Sequence, residues 1–285
     1  MNTLPLPAID DIVRRALLED VGSGDVTSEA CIEEGSRSLA HAVARHPLVA
    51  CGAAVAERVF YILDPSLAFD AKVVDGHRVD RGTTLWTVRG SSRAILMGER
   101  VALNLVQRMS GIATTARAFV DAIAPGTGAR ITDTRKTTPG LRVLERYSVR
   151  MGGAKNHRED LGAAVLIKDN HVRACGGVAE AIRRAKLRSP HTSRIECEVD
   201  SLEQLEIALA AGADIVLLDN MDDAMIARAV AHTRRRPGSS GVLLEASGNV
   251  GIDRVRALSE MGVDCISSGA LTHSVKAADI GLDFE

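Results

Sequence analysis

Ala213-Asp-Ile-Val-Leu-Leu-Asp-Asn220 is a short apolar run closed by two polar residues, and a helical pattern follows it over Asp223–Arg234. A strand buried on both faces has this form: continuous aliphatics, too few for a helix, then a loop. Comparable runs recur at Ala129–Ile131, Ala163–Ile167, Ile195–Val199, Gly241–Leu244 and Val263–Ile266. Each leads into a polar cluster: Asp133-Thr-Arg-Lys136, Lys168-Asp-Asn-His171, Glu198 with Asp200, Glu245-Ala-Ser-Gly248 and Ser267-Ser-Gly269. Helical patterns over Val178–Leu187, Leu202–Ala211 and Ile252–Met261 fill the intervals. Strand, polar end and helix, repeated every 21 to 35 residues, predict βα units in a parallel sheet. Six in succession, polar at every C-terminal strand end, favour a barrel, whose active site is built from those ends. Capping of strands by solvated loops would account for a few clusters, not for six in a row.

The first third has a different texture. A helical period runs from Ile9 to Glu19, and short β-rich segments follow at Ser38–Val43, Leu67–Val74 and Thr84–Val88. Asp75-Gly76 and Arg81-Gly82 read as turns between them. Helices packed on an antiparallel or mixed sheet are expected here. A long helical stretch over Ala94–Ala124, broken near Ser110-Gly111, then marks a boundary between a first domain, 1–110, and a second, 111–285. The last residues of the chain are left free to pack back on the first domain.

Composition excludes several classes. The 285 residues are 46% hydrophobic with a net charge of -2, which argues against disorder. A balance of 35 Lys+Arg against 37 Asp+Glu gives no support to nucleic-acid binding. No run is long enough to span a bilayer, and Met1–Asp11 has no secretory pattern, so a cytoplasmic protein is expected. The five cysteines, Cys31, Cys51, Cys175, Cys197 and Cys265, are scattered without a CxxC pair. They read as reduced, mostly buried thiols. Four Phe, one Trp and two Tyr leave an aliphatic core and no base-stacking platform.

Charge, however, is unevenly placed. Arg130–Arg173 holds ten Lys/Arg against five Asp/Glu, a basic segment at the strand ends of a slightly acidic chain. Such a segment suits an anionic substrate, because Arg and Lys pair with carboxylates and phosphates. Glu198 and Asp219 suit ribose hydroxyls or a hydrated magnesium ion. Ser247-Gly-Asn249 and Ser268-Gly269 follow the last two strands, where barrels commonly grip a phosphate through backbone amides. Other features read as structural. Gly22-Ser-Gly24 has no preceding strand and is no dinucleotide loop. His41 and His46 fit surface positions, and no serine or cysteine has a matched base. His157 fits a structural histidine as well as a ligand.

These residues also carry a family resemblance. Asp133-Thr-Arg-Lys-Thr-Thr-Pro-Gly-Leu-Arg142 closely resembles a signature of the quinolinate phosphoribosyltransferases. Asn156-His-Arg158, Leu166-Ile-Lys-Asp-Asn-His171, Glu198-Val-Asp200, Leu218-Asp-Asn220, Glu245-Ala-Ser-Gly248 and Ser268-Gly-Ala-Leu-Thr-His273 are similar too. So are Ala16–Thr27 and Glu99-Arg100 with Leu103-Asn104, so the resemblance covers nearly the whole chain in order. Three positions depart from it. Asp160 and Ala163 stand where the family more often has glycine and an acidic residue, and Asn249 where it often has glycine.

The resemblance implies an N-terminal α/β sandwich and an incomplete, seven-stranded TIM-like α/β barrel. It implies an enzyme that joins quinolinate to 5-phosphoribosyl 1-diphosphate and releases carbon dioxide and pyrophosphate, making nicotinate mononucleotide for NAD synthesis. By the same analogy Arg100, Thr134, Arg135, Lys136, His157, Arg158 and Lys168 bind quinolinate. Lys136, Glu198, Asp219, Ser247, Gly248, Asn249, Ser267, Ser268 and Gly269 bind the donor, and Lys136, Glu198 and Asp219 carry catalysis. Mg2+ would arrive with the donor near Glu198 and Asp219, with no organic cofactor. A homodimer is implied, with Arg100 reaching the neighbour's site, and no nucleic acid or membrane partner. Two rivals stand beside this reading. One is a Schiff-base lyase using Lys136 or Lys168, the other a paralogue that binds an anion without the chemistry.

Overall fold

The computed structural model describes residues 4–285. In chain order these form α1 (Leu6–Val21), α2 (Val26–Cys31), β1 (Arg37–Ala44), β2 (Leu48–Val49) and α3 (Ala53–Leu63). Next come β3 (Ala68–Ala71), β4 (Arg78–Val79), β5 (Thr84–Ser91), α4 (Ser92–Asp121), β6 (Arg130–Thr132) and α5 (Arg142–Met151). The chain continues with β7 (Val165–Ile167), α6 (Asp169–Cys175), α7 (Val178–Arg188), β8 (Ile195–Val199), α8 (Leu202–Ala210) and β9 (Ile215–Asp219). It ends with α9 (Asp223–Arg235), β10 (Leu243–Ser247), α10 (Ile252–Met261), β11 (Cys265–Ser267), α11 (Ala270–His273) and β12 (Ile280–Phe284). Contacts divide it into two compact units. One runs to Arg117 and adds Thr137–Gly153 and Leu271–Glu285; the other is Ala118–Lys136 with Ala154–Ala270.

The first unit is built on an antiparallel sheet in the order β12-β1-β5-β3. Along β1 the buried positions Ala40, Ala42 and Ala44 alternate with more exposed ones, the period of a half-buried strand. Trp86 on β5 stacks on Phe69 of β3, with ring centroids 6.1 Å apart, and Phe60 of α3 lies beyond Phe69 at 6.3 Å. Much of the scarce aromatic content is thus spent on this core. Asp75 ends a turn and caps α3, accepting from the amides of Gly52 and Ala53 at 2.9 and 3.3 Å and from the Tyr147 hydroxyl at 2.8 Å.

The helix break expected at Ser110-Gly111 does not occur, because α4 runs unbroken from Ser92 to Asp121. Both residues have other reasons to be small. The Ser110 hydroxyl donates to the Cys51 carbonyl and accepts its amide, each at 3.1 Å. A Cβ on Gly111 would stand 2.2 Å from the Lys276 carbonyl oxygen. The boundary placed at 110 therefore falls inside a helix. Of the cysteines only Cys51 and Cys197 are buried, fewer than the sequence suggested.

The second unit is a parallel sheet in the order β6-β11-β10-β9-β8-β7, joined through helices, an incomplete barrel. The resemblance implies seven strands, and six are formed. At the outer edge of β6 a single parallel bridge, Thr132 to Lys155, stands in the seventh position. The N-terminal edge of the sheet is tied by carboxylates: Asp214 accepts from the Ile195 amide and Asp264 from the Leu244 amide, both at 2.7 Å. The C-terminal edge is left for other work.

Gly111→Ala separates the two explanations for that glycine by sign. A glycine that merely weakens a helix gains about 1 kcal/mol on becoming alanine. A glycine at a close backbone approach loses about 1–3 kcal/mol through overpacking. The second outcome is expected in denaturant unfolding, and a stabilised variant would contradict the close approach.

Candidate active site

Register decides which side chains of the parallel sheet share a face. Glu196 pairs with Leu166 on one side and Ile215 on the other; Glu198 pairs with Leu217, which also pairs with Glu245. Glu245 pairs with Cys265, Asp219 with Ser247, and Ser267 with Thr132. Since alternate residues face alike, one face carries Glu196, Glu198, Asp219, Glu245, Ser247 and Ser267. The residues between them, such as Cys197, Val216, Leu218 and Leu244, are buried on the other face, toward the helices. Glu198, Asp219, Ser247 and Ser267 stand at or next to the C-terminal ends of their strands.

The acidic side of this end is Glu198 and Asp219. Glu198 accepts from the Lys168 ammonium at 2.7 Å, and Lys168 itself is half exposed. Asp219 accepts from the Asn220 side-chain nitrogen at 2.8 Å. Next to them the backbone turns sharply. Asn220 and Asn249 adopt φ of 52° and 47°, the only non-glycine residues among those described with positive φ. Gly248 lies between them at φ 92°, and a Cβ there would stand 2.3 Å from the Asn220 side-chain oxygen and 2.7 Å from its amide nitrogen. Strain of this kind concentrates where backbone amides are aimed at a ligand. At the next strand end the Ser268 hydroxyl donates to the Val250 carbonyl at 2.8 Å and caps the Ala270 amide at 3.3 Å. Ser268 is thus used in shaping the turn, with its amide donated to Thr132 at 3.1 Å.

The basic side begins at β6. Buried Asp133 accepts from the Asn156 side chain at 2.6 Å and from the His157 amide at 2.7 Å, locking Asn156-His157 to the strand end. The amide of Arg158 donates to His157 Nδ1 at 2.7 Å, and its guanidinium donates to the Ala164 carbonyl at 3.3 Å. Arg158 is held below the ordinary arginine range, first by partial burial and then by the like charge of Arg135. Two guanidiniums near enough to feel each other's charge suit an anion. The Lys136 amide donates to the Thr134 hydroxyl at 3.1 Å, and the Lys136 side chain is exposed.

His157 turns inward. Its Nε2 lies 3.3 Å from Glu196 Oε2 and 3.5 Å from Glu245 Oε1, and both carboxylates are buried. Burial works against its charge, and hydrogen bonds to Glu196 and Glu245 outweigh burial, so its proton affinity is raised to about 10. Glu196 is raised as well, by burial first, with His157 opposing and the Glu245 charge adding to the rise. The sequence reading passed over Asp133, Glu196 and Glu245 as site residues. For Glu196 and Glu245 the signal was a charged residue at an inward position of an otherwise apolar strand.

Arg100 belongs to the first unit, exposed on α4, 4.0 Å from Glu99. Neither lysine suits a Schiff base, which needs an amine stripped of water and of its counter-ion. Lys136 is exposed, and Lys168 is half exposed and paired with Glu198. Cys197 and Cys265 are poor nucleophiles, since burial pushes both up to about 12.

The described residues contain no helix long and apolar enough to cross a membrane. The family model for the C-terminal domain of quinolinate phosphoribosyl transferase matches residues 112–283, and that for the N-terminal domain matches 25–110. The chain is 45% identical over 282 residues to the nicotinate-nucleotide pyrophosphorylase (carboxylating) of Mycobacterium leprae, covering 97% of each protein. It is 40% identical to the probable nicotinate-nucleotide pyrophosphorylase (carboxylating) of Bacillus subtilis, covering 99% of this chain and 94% of that one. The solved nicotinate-nucleotide pyrophosphorylase of Francisella tularensis superposes with a TM-score of 0.93 at 37% identity, covering 100% of this chain and 98% of that one. With both domain models matched in order and relatives similar from end to end, the chain belongs to the quinolinate phosphoribosyl transferase family.

Proposed function

We propose that this chain transfers phosphoribosyl from 5-phosphoribosyl 1-diphosphate to quinolinate, giving nicotinate mononucleotide, carbon dioxide and pyrophosphate in NAD biosynthesis. The observation that carries this is one sheet edge holding two opposed kits. Arg135, Arg158 and Lys168 offer cations for a dicarboxylate, while Glu198, Asp219 and the turns at Gly248 and Gly269 suit a phosphorylated sugar. A simple anion-binding relative has no use for the acidic half.

Arg135 and Arg158 hold the ring carboxylates, with Thr134 and Lys168 at the margin and Lys136 reaching toward the donor. The backbone at Ser247-Gly-Asn249 and Ser267-Ser-Gly269 cradles the 5-phosphate. Glu198 and Asp219 hold the ribose hydroxyls. As oxygen donors at neighbouring strand ends they also fit a hydrated magnesium ion. When bound with the donor, that ion offsets the charge of the diphosphate. The pyridine nitrogen attacks the anomeric carbon as pyrophosphate departs, and the positive charge developing on the sugar faces Glu198 and Asp219. The new pyridinium takes up the electron pair of the adjacent C–C bond, carbon dioxide leaves, and the ring carbon takes a proton. Positioning and electrostatics supply the catalysis, with no organic cofactor. Arg100 is contributed by the neighbouring chain of a homodimer.

The direct test supplies quinolinate, phosphoribosyl diphosphate and magnesium and follows nicotinate mononucleotide. Turnover is expected, and nicotinate in place of quinolinate gives none, since it lacks the second carboxylate and the group that leaves. Formation of product from nicotinate, or none from quinolinate, overturns the assignment.

The two halves of the site separate by mutation. Arg158→Ala removes a charge-assisted contact worth roughly 2–5 kcal/mol in a closed pocket. Quinolinate affinity should fall by more than tenfold while phosphoribosyl diphosphate still binds in calorimetric titration. Asp219→Ala should do the reverse. Equal loss of both ligands in both folded variants contradicts these roles.

The dimer has its own test. Arg100→Ala and Arg158→Ala proteins, each nearly inactive, should recover activity when mixed and allowed to exchange subunits. No recovery despite confirmed exchange would place Arg100 outside the neighbour's site.

A further inference from the structure

Glu145, on the first turn of α5, is 1% exposed, a buried carboxylate that the reaction above leaves without a task. Its partner is Arg108 of α4, whose Nε and Nη2 donate to Glu145 Oε1 at 2.8 and 2.6 Å. Glu145 Oε2 accepts the Thr138 amide at 3.1 Å. Arg108 Nη2 also donates to the Thr138 hydroxyl at 2.7 Å and to the Thr272 carbonyl at 3.1 Å. One ion pair thus holds Thr138 by amide and hydroxyl and Thr272 by its carbonyl, all within the first unit.

Stability alone is a poor reason for this arrangement. Taking charge out of water costs as much as the attraction gains, or more, and apolar residues of similar volume often do as well. What an arginine adds is direction, because its planar fork holds several acceptors at set angles. The acceptors here lead to the site. Thr138 comes three residues after Arg135 and two after Lys136, and Thr272 comes three after Gly269. The chain passes from the second unit to the first between Lys136 and Thr137 and again between Ala270 and Leu271. Each tie is therefore made at the second residue after such a passage.

Both stretches are held at other points too. Arg142 donates to the Thr137 hydroxyl at 2.9 Å, next to the tie at Thr138. Helix α4 grips the segment beyond Thr272. The Gln107 carbonyl accepts the Ala278 amide at 2.8 Å, and the Gln107 side chain donates to the Ile280 carbonyl at 2.7 Å. Arg108 stands beside Gln107 as the member of this row that reaches both stretches at once.

We propose that Arg108 and Glu145 are positioning residues for the transfer reaction, an inference that rests on the quinolinate reading of the site. Through Thr138 they set the loop of Arg135 and Lys136. Through Thr272 they set the segment that follows the Ser267–Gly269 turn. With both stretches on one guanidinium, the dicarboxylate and the phosphosugar keep the separation that attack on the anomeric carbon requires. Reacting atoms must meet within roughly 3–3.5 Å, and a misplacement of about 1 Å made far from the chemistry can cost on the order of a hundredfold. The effect therefore falls on turnover more than on the binding of either substrate.

The test uses Arg108→Lys and Thr138→Val. Lysine keeps a counter-ion for the buried carboxylate and loses the fork. Arg108→Lys should bind quinolinate and phosphoribosyl diphosphate, each titrated alone by calorimetry, within about threefold of wild type and still lose at least about tenfold in kcat. Turnover is counted per binding-competent site from the calorimetric stoichiometry, so unfolded chains do not enter it. Thr138→Val leaves the ion pair whole and removes one tie, and should lose about fivefold in kcat, the worth of one net hydrogen bond. Wild-type turnover of quinolinate is the control, and its absence sinks the functional reading itself. With the wild type active, a wild-type kcat in either variant overturns the inference, as does a loss of binding as large as the loss of turnover. If Arg108→Lys does not fold, Thr138→Val decides alone.

Discussion

In a parallel sheet the pairing of one strand with the next fixes the phase of every side chain, and this site depends on that phase. Glu198 with Leu217, Leu217 with Glu245 and Asp219 with Ser247 are register partners, so their side chains leave the sheet on one side. A slip of one residue in β9 would turn Asp219 outward and bring Leu218 into the site. Aliphatics of the opposite phase, Val216, Leu218 and Leu244 among them, make such a slip costly by packing under the helices. The hydrophobic effect thus does for the site what no single polar contact could.

Given that phase, charge is sorted along the sheet edge. The basic groups stand at the two outer strands, β6 and β7, and the acidic groups of β8 and β9 lie between them with the glycine turns after β10 and β11. Lys168 and Glu198 pair at 2.7 Å, a half-exposed lysine on a mostly buried carboxylate. Asn220, at positive φ, crowds Gly248, and Asn249 follows that glycine at positive φ as well. Glu196, Glu245 and His157 pack together beside these groups, with both carboxylates buried.

Much of this was legible in the chain. The βα rhythm placed all six strands of the barrel within a few residues, because each needs an unbroken aliphatic run. The polar ends were legible for the same reason. Other elements were not. Helix α5 carries Arg142, Arg146 and Arg150, and their charge masks the apolar period of Leu144, Tyr147 and Met151. Strand β12 exists only through its pairing with β1, more than 230 residues away, which no local pattern announces. Gly111 looked like a helix breaker, since sequence carries no trace of the Lys276 carbonyl against it. The buried partners of His157, Glu196 and Glu245, come from two other strands and were not legible around it in the chain.

The central claim is that the C-terminal strand ends of one sheet hold the dicarboxylate among the basic groups of its outer strands and the phosphosugar at the acidic and glycine-rich strands between them. A crystal structure with quinolinate and a non-reactive analogue of phosphoribosyl diphosphate measures this directly. The account predicts both ring carboxylates among Arg135, Arg158 and Lys168, and the 5-phosphate at the turns Ser247–Asn249 and Ser267–Gly269. A phosphate seated between Arg135 and Arg158, or quinolinate bound at the Gly248 turn, would contradict it.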